Sequence, residues 1–74
     1  MVTARSYSRR RVDLTPRMRD VLRAAAHGSS VDETAGELHI APGTVRAVRQ
    51  AALVRLGARN VVQAVAVAIE RGEL

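Results

Sequence analysis

Arg46 and Gln50 stand four positions apart, with Ala47 between them. Both carry flat groups that form more than one hydrogen bond at once. A guanidinium can bond to guanine O6 and N7, and a carboxamide to adenine N6 and N7. Ala47 is small enough to let the backbone approach, and its methyl can rest against that of thymine. Thr44 and the free N–H groups of a first helical turn suit a phosphate oxygen. Gly43, Arg46, Ala47, Gln50 and Val54 recur at three- and four-residue steps, so a helix would carry them on one face. The chemistry on offer is recognition of nucleobase edges. On spacing alone, an ordinary solvated helix face reads equally well.

Positioning these residues requires a helix that starts near Pro42, because proline is tolerated where the first-turn N–H has no partner. Val45, Val48, Ala52, Leu53 and Leu56 give that helix an apolar stripe, and Gly57 can end it in the left-handed conformation. A shorter helix precedes it. Ser30 and Glu33 form a capping-box pair, and the helix is expected to run to about Leu38. His39, Ile40 and Ala41 bridge the two. Ala35 and Gly36 are small, which predicts a close approach of the second helix to the first. A short capped helix, a tight turn and a longer proline-opened helix form a helix-turn-helix.

Two further helices flank this pair. Thr15 caps the first, with Pro16 at its opening position and an inward stripe of Leu14, Met18, Val21, Leu22 and Ala25. His27 and Gly28 close it. Asn60, with Gln63 three residues on, opens the last helix, which ends near Gly72. Between them, residues 61–69 are apolar apart from Gln63, so the helix has almost no polar face. One side can pack on the core and the other needs a cover. A homodimer interface on Val61, Val65 and Ala68 supplies one; deeper burial within the chain is the alternative.

The chain of 74 residues reads as one small domain, expected to be a complete protein. Its net charge of +5 makes polyanions the first partners to consider. All twelve basic residues are Arg. Residues 1–13 show no helical or strand period and hold Arg5, Arg9, Arg10 and Arg11, an expected flexible arm. Such an arm gives non-specific attraction to phosphates. Cysteine is absent, which excludes disulfides and thiolate metal sites. His27 and His39 fall short of a zinc ligand set. No cofactor site, nucleophile–base pair or acid pair is apparent, so no catalysis is expected. No apolar run or signal pattern points to a membrane.

From Leu14 to Leu74 the sequence resembles the LuxR/GerE-type helix-turn-helix domain. The resemblance rests on LTPRMRDVL, SSVDETAGELHIAPGTVR, LVRLGARN and AVAVAIERGEL, in that order and spacing. It implies an all-α fold of four helices and a bacterial transcription regulator that binds double-stranded DNA. It also implies base reading by Arg46, Ala47 and Gln50, phosphate contact by Thr44 and near Ser30, and a dimer through the last helix. With no receiver or ligand-sensing domain in front, the chain is similar to the stand-alone GerE type.

Several positions depart from the family pattern. Ala41 stands where a Ser cap is usual, and Met18 where a Glu completes the first capping box. Thr34 replaces a core aliphatic, and Asp32 a basic phosphate-facing residue. Arg49 occupies a place usually held by a buried Val. Either Val48 takes over the core contact by a small rotation of the helix, or the Arg49 guanidinium reaches a phosphate.

The expectation is therefore a homodimeric, sequence-specific transcriptional regulator of the cytoplasm and its nucleoid. Two recognition helices would enter successive major grooves about 34 Å apart. The arm residues Arg9, Arg10 and Arg11, with Arg49 and Arg59, would add phosphate contacts. The alternative is an interaction module whose apolar last helix binds a sigma factor, RNA polymerase or another regulator.

Overall fold

The computed structural model describes residues 14–74. They form four helices: α1 (Pro16–Ala26), α2 (Val31–Leu38), α3 (Pro42–Leu56) and α4 (Val61–Glu70). No strand occurs among the described residues, so the domain is all-α as expected.

Local chemistry sets the helix ends. Thr15 Oγ1 accepts from the Met18 N–H at 3.1 Å, and Pro16 opens α1. Ser30 and Glu33 form the complete capping box. Ser30 Oγ accepts from the Glu33 N–H at 3.0 Å, and the Ser30 N–H donates to Glu33 Oε1 at 2.8 Å. Asn60 Oδ1 caps α4 through the Gln63 N–H at 2.8 Å. The reciprocal bond is displaced by one residue: Gln63 Oε1 accepts from Arg59 N–H, not from Asn60. Only α3 starts without a side-chain cap, since Ala41 has no oxygen to offer.

The turn between α2 and α3 runs through His39 at φ 58° and ψ 44°, in the left-handed region. A residue with a Cβ is strained there. In return, the Ile40 N–H reaches back to the Ala35 carbonyl and the chain passes from α2 to α3 within three residues.

Two apolar clusters hold the helices together. Leu14, Met18 and Leu22 of the α1 segment meet Ala52 and Leu56 of α3 and Ala64 and Ala68 of α4. Val21, Ala35 and Val45 join α1, α2 and α3. Val48, partly buried, packs against both clusters and ties them together. Ala25 is only half-buried. The close approach expected at Ala35 and Gly36 involves Ala35 alone. Gly36 is exposed, and a Cβ added there would meet nothing within 4 Å.

Alanines, not valines, form the innermost line of α4. Ala64 and Ala68 are fully buried, while Val62 and Ile69 are 76% and 56% exposed. Ala68 was expected on a dimer surface, but it is enclosed by its own chain and offers none. Its short side chain lets α4 sit close to α1, while Val62 and Ile69 turn outward. Val61 and Val65 are half-buried at the edge of the core.

Candidate nucleic-acid interface

The outward side of α3 gathers the base-recognition candidates. Arg46, Ala47 and Gln50 are all exposed, as are Thr44 and Gly43 one turn earlier and Val54 one turn later. Arg46 and Gln50 are separated by about 6 Å along the axis, close to the rise of one helical turn. The opposite side of the same helix supplies the buried Val45, Ala52 and Leu56. That packing aims Arg46 and Gln50 away from the protein.

The two helix N-termini in this region differ electrostatically. At α2, Glu33 folds over the capping box, and Asp32 stands beside it. The N-terminal dipole is already met by carboxylates of the chain. Ser30, expected near phosphate, spends its N–H and its acceptor oxygen on this box. At α3, Pro42 has no N–H and Ala41 provides no cap, so the Gly43 and Thr44 N–H groups have no side-chain acceptor. The partial positive charge there is open to an anion.

Arg49 projects from the core side of α3. Val45 lies four residues before it and Ala52 three after, both fully buried. The residue is half-buried, and its Nη2 donates to the Ser29 carbonyl at 3.2 Å, across to the loop before α2. Its Nε is enclosed without a hydrogen-bond partner. Both alternatives drawn from the sequence are thereby redrawn. Val48 does take a core contact, and the guanidinium turns to main chain of the protein.

Arg59 is exposed in the turn after α3, at the other end of that helix from Thr44. Fifteen residues of helix put about 22 Å between those ends. The fold thus brings Thr44, Arg46, Ala47 and Gln50 together and leaves Arg59 apart. Arg9, Arg10 and Arg11 lie outside the described residues. Among the described residues, no group of three His, Cys, Asp or Glu side chains could hold a metal ion. No single helix there is long and apolar enough to cross a membrane.

One contact had no sequence signal. Arg19 Nη1 donates to the Leu14 carbonyl at 2.9 Å and to Glu73 Oε1 at 3.2 Å. It fastens the C-terminal residues to the start of α1.

Residues 12–68 match the family of bacterial regulatory proteins of the luxR family, GerE. The match spans most of the chain, which therefore belongs to this family and carries its DNA-binding regulatory domain. No curated protein matches the chain.

Proposed function

We propose that this LuxR-family chain is a sequence-specific transcriptional regulator that binds double-stranded DNA as a homodimer. Helix α3 enters the major groove and presents Arg46 and Gln50 to base edges, with Ala47 against a thymine methyl. The observation that carries the reading is the joint exposure of these three side chains beside an uncapped helix N-terminus. Thr44 and the adjacent N–H groups receive a phosphate there. Arg59 and the arm residues Arg9, Arg10 and Arg11 add attraction that does not depend on sequence. The protein works in the cytoplasm, on the nucleoid, without catalysis or a cofactor.

The second copy covers the outer side of α4. Val62 and Ile69 are the large apolar residues exposed on that helix, and half-buried Val65 borders them. These replace Ala68 in the proposed interface. The same exposed pair favours a second reading, in which α4 binds RNA polymerase or a sigma factor. Size-exclusion chromatography of the purified chain separates the two: a dimer supports the first reading, a monomer the second.

In vitro selection from a random duplex pool tests the main proposal. The expected product is a site with two-fold symmetry and half-sites about one helical turn apart. Arg46→Ala is then expected to lose discrimination at one base position in each half-site, by about 1–3 kcal/mol. A purified wild-type sample with no preference among duplexes overturns the proposal.

A further inference from the structure

Arg49 lies on the buried stripe of α3, between Val45 and Ala52, at a place where packing favours an apolar residue. Its Nη2 holds the Ser29 carbonyl at 3.2 Å, twenty residues away in the chain. Helix α2 carries a second polar departure on its inner side. Thr34 is fully buried, and its Oγ1 has no hydrogen-bond partner, as is true of Arg49 Nε. Enclosed polar atoms without partners cost stability, and an apolar pair of similar volume would avoid that cost. Stability is thus a poor reason for Arg49.

What the residue does provide is direction. A planar guanidinium bonded to a fixed main-chain carbonyl restricts rotation of the helix that bears it. Ser29 is itself fixed, since its N–H donates to the Ala24 carbonyl at 3.0 Å and its Oγ donates to Glu37 Oε2 at 3.2 Å. It also directly precedes the capping box of α2. Arg46 lies three residues before Arg49 on α3, and Gln50 directly after it. Roll of α3 therefore displaces both exposed side chains together relative to a base edge.

We infer that Arg49 is a positioning residue, which sets the roll of α3 against the loop before α2 and so fixes which base edges Arg46 and Gln50 meet. The inference rests on the reading of α3 as the base-reading helix. It differs from a phosphate-contact role for the same side chain, and the two roles leave different traces. A phosphate ligand contributes about 0.9 to the slope of log affinity against log salt and little to base preference. A positioning residue does the reverse.

The test uses the full chain, the duplex recovered by selection and a panel of its single-base-pair variants. Arg49→Val is expected to keep the helical content and the salt slope. Its ranking of the panel is expected to change by about tenfold at one or more positions. Arg49→Lys, which can still donate to the Ser29 carbonyl, is expected to restore the wild-type ranking. Without DNA, the Ser29 carbonyl ¹³C resonance should move in Arg49→Val and return toward its wild-type position in Arg49→Lys.

An unchanged ranking in Arg49→Val overturns the inference, and a slope reduced by about 0.9 would assign the side chain to phosphate. If Arg49→Val does not fold, Arg49→Met, which has no donor and is closer to Arg in length, replaces it in both measurements, with the same outcomes. A wild-type chain that selects no duplex overturns the proposed function instead. The carbonyl measurement still reports whether Arg49 holds the loop, so the two failures are distinguishable.

Discussion

Arg19 and Glu73 are 54 residues apart in sequence and paired in space, with Nη1 and Oε1 separated by 3.2 Å. The same Nη1 also donates to the Leu14 carbonyl. A single side chain thus fixes the entry to α1 and the residues after α4. Leu74 packs in part against the larger cluster, so the pair also holds the C-terminus on the core.

Removing the pair should loosen both ends together. The side chains are 34% and 15% exposed, so solvent screens the attraction in part. Glu73→Gln is expected to cost about 0.5–1 kcal/mol of stability, within the range for partly exposed pairs. Arg19→Ala loses the bond to Leu14 as well and should cost about 1–2 kcal/mol. Urea unfolding of both variants at low and high salt checks this. The difference between wild type and Glu73→Gln should shrink as salt rises. Equal stability of all three chains would show the contact to be without consequence.

Gly36 offers a stabilising change. It sits within α2, exposed, with open space where a Cβ would go. Gly36→Ala should therefore gain about 0.5–1 kcal/mol through helix propensity alone. DNA affinity should not change. Gly57 is the opposite case: its φ of 64° lies where side chains are strained. Gly57→Ala is expected to lose about 1 kcal/mol or more. Thermal unfolding of the two variants should move in opposite directions.

His39 bears the strain of the turn. At φ 58° a β-branched residue is worse placed than histidine. His39→Val is expected to lose about 1–2 kcal/mol, whereas His39→Asn should be close to neutral because Asn tolerates this region. If the turn also sets the angle between α2 and α3, His39→Val weakens DNA binding beyond what unfolding explains. Binding measured well below the variant's melting temperature separates the two effects.

The elements were legible in the sequence because their signals are local. Thr15, Ser30, Asn60 and Gly57 mark ends through bonds to residues three or four positions away, and Pro42 marks one by having no N–H to pair. The stripe of Leu14, Met18, Val21 and Leu22 repeats at the helical period and is buried throughout. The phase of α4 was not legible in the same way. Nearly every position there is apolar, so periodicity cannot distinguish Ala64 and Ala68 inside from Val62 and Ile69 outside. Nor was the place of Arg49, whose acceptor is a main-chain carbonyl that any residue at position 29 would provide. The left-handed turn at His39 carries no glycine to announce it. For the candidate interface, spacing gave the outward face of α3. The closing of the α2 N-terminus by Glu33 was legible too, because Ser30 and Glu33 stand at capping-box spacing and both bonds form.

The outer side of α4 gives the prediction that bears most on assembly. Val62 and Ile69 are exposed enough that a charge at either should change the stability of one chain by no more than about 0.5 kcal/mol. If a second copy covers them, Val62→Glu and Ile69→Glu each place an uncompensated carboxylate in an apolar interface. The dimer should then dissociate. Affinity for the selected duplex should fall sharply, because two half-sites are no longer bound by linked domains. Base preference within a single half-site should survive, since Arg46 and Gln50 are untouched. Ala68→Glu is the control: that side chain is fully buried, so the charge should unfold the domain and not merely split a dimer. Sedimentation equilibrium gives the mass and circular dichroism the fold. A well-folded Ile69→Glu variant with unchanged mass and DNA affinity would remove this side of α4 from the interface.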